Sequence, residues 1–301
     1  MFDTPLTWHE NGYLFMTGQP DIMAKLAEAA ALQKTMGLTE VHVVDPEQIR
    51  ELVPWIGTHG LLGGTYTPRD GRVTPTEGVA VLMQAARSSG VRYREHWEVS
   101  SLERAGTMWR LTGPDVVEAE RVVVCTGYWS SDLMRPFGLE LTIRPQPLFS
   151  AITGPALTGQ RVPLTIDLDT GLLIEREGAG LVIAILFEEN PPGYGHTRML
   201  EEFGELARVR APSLADLQVA RHVVANVDMG GDGHPYVGLV EDGLWMVAGF
   251  GGHGAMHGPP VAELLAKVIA GRPDSTVDLG PLSPWRKPGA TTEWMVAAKK
   301  G

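Results

Sequence analysis

Near the C-terminal end of the sequence lies its densest chemical signal, Gly249-Phe250-Gly251-Gly252-His253-Gly254. This G-x-G-x-x-G run separates an apolar stretch, Leu244–Ala248, from a helical pattern, Ala255–Ala270, closed by Gly271. Glycine tolerates positive φ and lets a flat ligand approach the backbone. A helix opening at Ala255 aims unpaired N–H groups and a partial positive charge into the same space. Together these would stabilise negative charge on a ring system. As a dinucleotide fingerprint the run lacks its context, a second parallel strand ending in an acid about 20 residues on. Instead, Arg272-Pro273-Asp274 and a proline-rich tail follow the helix. The alternative is a tight strand-to-helix turn whose glycines serve packing.

Other reactive types are fewer. His253 and His257 can share a helical face, but no third ligand and no H-E-x-x-H setting accompanies them, so no metal site is expected. Cys125 ends an apolar strand, where cysteine is usually a small filler. Neither G-x-S-x-G nor a P-loop occurs. Arg176 and Arg221 sit in apolar strand contexts, Leu172–Arg176 and Leu217–Val224. A guanidinium there costs desolvation unless paired, so each is either half of a structural ion pair or a clamp for a carboxylate substrate.

The elements that must position these residues follow from periodicity. Helical spacing runs from Pro20 to Met36, with proline and Asp21 in the first turn. A strand Val41–Val44 leads to Asp45, a candidate N-cap for a helix Pro46–Val53. Gly57 to Arg72 reads as a glycine-rich loop, and Thr74-Pro75-Thr76-Glu77 starts a helix through Ser88. Strands are expected at Val91–Arg94, Trp97–Glu103, Met108–Thr112 and Val117–Cys125, then at Arg144–Thr153, Leu172–Arg176 and Leu181–Leu186. The continuous apolar run Val122–Cys125 predicts a strand covered on both faces. A helix Thr197–Val209 precedes the closing strand, glycine turn and helix. This order predicts an α/β (α+β mixed) fold with interleaved domains.

Composition sets the outer bounds. In 301 residues, apolar types make up 44% and charged types 20%, which excludes a disordered chain. The excess of 36 Asp and Glu over 25 Lys and Arg, a net charge of −11, argues against nucleic acid as a partner. One cysteine excludes an intrachain disulfide and a Cys-based metal site. The start, Met1 to Pro5, has no basic region followed by an apolar stretch, and no window nears the ~20 apolar residues of a membrane span. Cytoplasmic residence is the expectation, with Lys299-Lys300-Gly301 a solvated tail.

Four stretches together resemble the flavin-dependent D-amino-acid-oxidase-like family, the group of glycine and sarcosine oxidases and proline dehydrogenase. Gly12-Tyr13-Leu14-Phe15 is similar to the family's early substrate-domain strand, and Val73-Thr74-Pro75-Thr76 to the segment re-entering the flavin domain. Val122 to Ser130, VVVCTGYWS, is close to the family's "VVVATGAWS". Most specific is Asp228 to Gly238, DMGGDGHPYVG, with Gly249–Pro259, which is similar to "DMTPDGHPIIG…GFSGHGFMHAP". The resemblance covers nearly the whole chain in order; one difference is Gly230-Gly231 in place of Thr-Pro.

The resemblance implies FAD as cofactor and an interleaved architecture. An antiparallel-sheet substrate domain would take residues 1–72 and 136–235; the remainder of the FAD-binding domain would take 73–135 and 236–285, leaving 286–301 as a tail. Val99 would offer its backbone to the adenine side, Thr126, Gly127 and Trp129 would lie along the cofactor, and Gly251, Gly252, His253, Gly254, Ala255 and Met256 would meet the isoalloxazine. Met256 stands where some relatives carry a flavin-linking cysteine, so no covalent link is expected. Arg176 and Arg221 remain the candidates for substrate. The family's opening βαβ unit, which holds the FAD phosphates, is expected to be missing, so the FAD-binding domain would be incomplete. Two functions follow: hydride transfer from the C–N bond of a small amino acid or secondary amine, or a flavin-free scaffold of the same fold. A partner chain or a homo-oligomer is expected over the bare sheet edge.

Overall fold

The computed structural model describes residues 6–187, 190–274 and 276–289. The first five residues and the basic C-terminal residues discussed above lie outside them. Strand β1 (Tyr13–Thr17) leads to α1 (Pro20–Thr35), β2 (His42–Val44), α2 (Pro46–Leu52), β3 (Gly63–Thr67) and α3 (Pro75–Ser88). Next come β4 (Ser101–Ala105), β5 (Met108–Thr112), β6 (Val116–Ala119), β7 (Val122–Val124) and the short α4 (Ser130–Met134). They are followed by β8 (Arg144–Thr153), β9 (Leu164–Asp167), β10 (Leu172–Glu177), β11 (Gly180–Ile185), α5 (His196–Arg210) and β12 (Val219–Met229). β13 (Tyr236–Glu241), β14 (Leu244–Ala248) and α6 (Gly254–Ile269) are the last strands and α-helix among the described residues. The chain divides into two units, each discontinuous in sequence. One holds the described residues up to Ala85 with Pro147–Ala225; the other holds Ala86–Gln146 with those from Asn226 on.

The first unit is built on an eight-stranded sheet of order β12-β8-β11-β10-β9-β1-β3-β2. Its pairings are antiparallel except β1 with β9, wherever register is resolved. Alternation decides its faces. Leu14, Met16, Ile174, Leu181 and Ile183 fill one core with Ile49 of α2 and Met199 and Phe203 of α5. Phe15, Ile166 and Leu173 turn the other way, onto Leu26 of α1. Asp45 caps α2 as expected: it accepts the Glu47 and Gln48 N–H groups, and the Gln48 side chain accepts its own. Arg210 reaches the fully buried Asp167 at 2.7 Å and also donates to the Gly57 and His59 carbonyls, tying α5 to β9 and to the loop before β3.

The second unit carries two small sheets, β13-β14-β7 and β4-β5-β6. Trp109 of β5 is wholly buried beneath the first of them, among Val122, Val124, Tyr236, Leu244 and Met246. Its indole N–H donates to the Asp242 carbonyl at 3.1 Å. On the opposite face, Val261 and Leu265 of α6 pack on Val237, Trp245 and Val247.

Four expectations are corrected. Residues 63–67 form strand β3 inside the expected loop; its glycines are there because β1 passes so close that a Cβ on Gly64 would lie 1.9 Å from the Phe15 carbonyl oxygen. Val91–Arg94 forms no strand: these residues are exposed, and Arg94 and Trp97 both turn to the Asp115 carboxylate. Val117–Cys125 is two strands, β6 and β7, in different sheets. Val122–Cys125 is covered on one face only, with Val122 and Val124 buried and Val123 and Cys125 exposed, because α6 covers the β13–β14 side of the sheet and not β7. Among the described residues no helix is long and apolar enough to cross a membrane.

Candidate functional site

Parallel pairing creates the site. β14 and β7 run side by side in one direction, with Leu244 opposite Val122 and Met246 opposite Val124. Their C-terminal ends therefore deliver two turns next to each other, the arrangement that open α/β sheets use for ligands. One is Thr126-Gly127-Tyr128-Trp129, a single 3₁₀ turn leading into α4, with the Thr126 and Ser130 hydroxyls 2.9 Å apart. The other is Gly249–Gly254, leading into α6.

The second turn is left-handed at three glycines, with φ of +83° at Gly249, +59° at Gly251 and +93° at Gly252. Gly252 shows why no other residue suits: a Cβ there would touch nothing within 4 Å, yet the backbone conformation is one that L side chains rarely adopt. The His253 N–H is held by the Phe250 carbonyl at 3.0 Å. The Gly254 and Ala255 N–H groups precede the first bonds of α6, which Met256 and His257 make to the His253 carbonyl at 3.2 Å and 3.0 Å, and the helix has its positive end there. Gly252, Ala255, Met256 and His257 are exposed, and so is Trp129 on the neighbouring turn. The His253 and His257 rings stack with centroids 5.8 Å apart. Among the described residues no three His, Cys, Asp or Glu side chains gather to hold a metal ion.

Of the residues singled out from sequence, the structure thus brings Thr126, Gly127, Trp129 and Gly251 to Met256 to one end of one sheet. Val99 lies elsewhere in the same unit, in the segment entering β4, where its neighbour Ser100 donates to the Thr112 carbonyl. Arg176 and Arg221 belong to the other unit. The Arg176 guanidinium donates to the carbonyls of Ala156, Leu157, Gln160, Ala179 and Gly180. These bonds are those of a structural pin, with backbone carbonyls in place of a carboxylate. Arg221 is exposed on β12.

Two partnerships had no signal in the sequence, although Asp228 and Asp232 both lie in the stretch that carries the most specific resemblance. Asp228 accepts the Gly249 N–H through Oδ2 at 2.8 Å. Asp232, nearly buried, is held by Arg286 at 3.0 Å and 2.8 Å, and the same guanidinium lies 3.9 Å over the Tyr236 ring. In each case the partner is remote in sequence and of ordinary type. In the first unit, Arg72 joins Glu175 and Glu177 beside Tyr13. Burial, with Glu175 and Asp70 adding to it, pushes the Tyr13 hydroxyl well above the usual range.

Comparison with known proteins bears on what such a site does. The family described as FAD dependent oxidoreductase matches residues 2–268. Mitochondrial dimethylglycine dehydrogenase of Rattus norvegicus is 26% identical over 289 residues, 87% of this chain and 33% of its own length. Glycine oxidase of Bacillus licheniformis is 25% identical over 257 residues, 81% of this chain and 67% of its own. The crystal structure of L-proline dehydrogenase from P. horikoshii superposes with a TM-score of 0.85 at 21% identity, over 93% of this chain and 77% of that one. That last likeness is one of fold. The chain spans about a third of the length of the curated relatives it first matches.

Proposed function

Because the chain belongs to the FAD dependent oxidoreductase family, we propose that it seats the ring of FAD and the substrate in an enzyme that oxidises the C–N bond of a small amino acid or secondary amine. The observation that carries this reading is the glycine turn at the start of α6, exposed at Gly252 and set beside the β7 turn on adjacent parallel strands. The residues fit the group: the turn bears no side chain at Gly252 that a flat ring would have to displace, and the exposed Trp129 and Met256 supply apolar surface next to it.

In this reading Thr126, Gly127, Trp129 and Gly251 to Met256 hold FAD without a covalent link, and the backbone of Val99 meets its adenine side. When bound, FAD accepts the hydride from the carbon beside the amine nitrogen. The chain's own contribution is position and polarisation. The amides opening α6 donate toward an electron-rich ring edge, and the helix end adds favourable charge there. The unit with the glycine turn is the cofactor-binding part, and the eight-stranded sheet is the substrate domain. Dimethylglycine, named in the rat relative, pairs an amine with a carboxylate. Arg221, exposed on β12, is the arginine assigned to such a carboxylate.

Anaerobic mixing of the FAD-loaded protein with dimethylglycine, sarcosine, glycine or proline tests the reading. Bleaching of the visible flavin band by at least one of them is expected; no bleaching by any small amine or amino acid contradicts it. The place of β7 at the edge of its sheet among the described residues, with the exposed Val123, favours a second reading, a flavin-free scaffold whose edge is covered by a partner chain or another copy. A protein that stays colourless in excess FAD and self-associates would favour that one.

A further inference from the structure

We propose that Asp228, at the end of β12, is the positioning residue that sets the glycine turn for its cofactor; this rests on the reading of the turn given above. Its carboxylate Oδ2 accepts the Gly249 N–H at 2.8 Å, and its backbone carbonyl accepts the Gly251 N–H at 3.1 Å. Between those two amides, Phe250 pairs with Met229 as an isolated antiparallel bridge. One residue thus holds the chain on both sides of Phe250, and the Phe250 carbonyl holds His253. The donors so engaged are Gly249, Gly251 and His253. Of the N–H groups that follow, those of Met256 and His257 donate to the His253 carbonyl, and those of Gly254 and Ala255 stand ahead of the first bonds of α6.

The same carboxylate lies near the turn that follows β7. A Cβ on Gly127 would come within 3.8 Å of Asp228 Oδ2. Asp228 therefore lies close to both turns that the parallel strands β7 and β14 deliver, and the bond it makes is to the Gly249 turn. A short acceptor side chain is what the place requires. Asparagine keeps an oxygen within reach of the Gly249 N–H, and alanine leaves that buried N–H without a partner.

The test uses the whole chain with Asp228→Asn and Asp228→Ala, and two readouts. Amide hydrogen exchange without FAD reports the turn itself, and titration with FAD reports the cofactor. Asp228→Ala is expected to lose protection at Gly249 and to weaken FAD binding at least tenfold, while Asp228→Asn retains both within about threefold. Wild-type exchange at Gly249 in Asp228→Ala, or Asp228→Asn behaving like Asp228→Ala, overturns the proposal. Should the alanine variant not fold, Asp228→Glu, which displaces the carboxylate by one methylene, is expected to show the same two losses, and wild-type behaviour in it overturns the proposal. If the wild-type chain binds no FAD, the functional reading falls while the exchange measurement still decides the role of Asp228 in the turn.

Discussion

Arg286 fixes the loop before β13 through Asp232, the His234 carbonyl and the Tyr236 ring. Burial works against the charge on Asp232, but the Arg286 guanidinium and the His234 N–H outweigh it and hold the carboxyl below its usual range. A depressed folded-state pKa contributes stability that is complete above the unfolded value and is lost as pH falls through the folded one. Arg286→Ala is therefore expected to cost on the order of 3 kcal/mol at neutral pH. It should also flatten the acid side of the stability profile, as urea denaturation at neutral and acid pH would show. The two strand arginines are expected to separate in the same kind of experiment. Arg176→Ala lowers stability without changing KM, and Arg221→Ala raises KM about tenfold or more with stability unchanged; an unchanged KM for Arg221→Ala rejects it as the carboxylate contact. At this scale the glycine turn was legible because its residues are consecutive. The bonds of Asp228 and Arg286 were not, because their partners lie 21 and 54 residues away and no spacing rule connects them.

Glycine does different work in two of the elements, and substitution separates the roles. A Cβ on Gly64 would run into the Phe15 carbonyl, so Gly64→Ala must separate β1 from β3, and with it the β3–β2 edge from the rest of the larger sheet. Loss of the cooperative melt is expected. Gly252→Ala meets no atom and bears only the cost of its left-handed backbone, about 1–2 kcal/mol. It should fold, melt slightly lower, and bind flavin less well. Circular dichroism melts with a flavin titration check both. The contrast also explains what could be read in advance. Arg144–Thr153 and Leu244–Ala248 match their expected strands, because alternation or length marks them. Glycine-rich β3 read as a loop, since a sequence does not show which backbone passes behind a glycine. The break between β6 and β7 falls at Glu120-Arg121, where no glycine or proline marks a turn, and the change of sheet reveals it.

At the scale of the whole molecule, family resemblance ran along nearly the entire sequence, and the family match to residues 2–268 agrees with it. Burial on β7 was less legible, because a run of valines does not show which of its faces will meet a neighbour. Val124 faces the core and Val123 is 42% exposed. Val124→Ser is expected to cost about 2 kcal/mol, and Val123→Ser no more than about 0.5 kcal/mol in the isolated chain, both readable by urea denaturation. The central claim is that a flavin ring sits over the turn entering α6, beside Trp129. Titrating FAD, and separately riboflavin, with the purified chain tests it most directly, since both carry the ring and only one carries phosphates. Saturable quenching of flavin fluorescence with a shifted visible band is expected for both ligands, weakened by Gly252→Ala. Flavin emission and absorbance unchanged up to the solubility limit of the protein would contradict it.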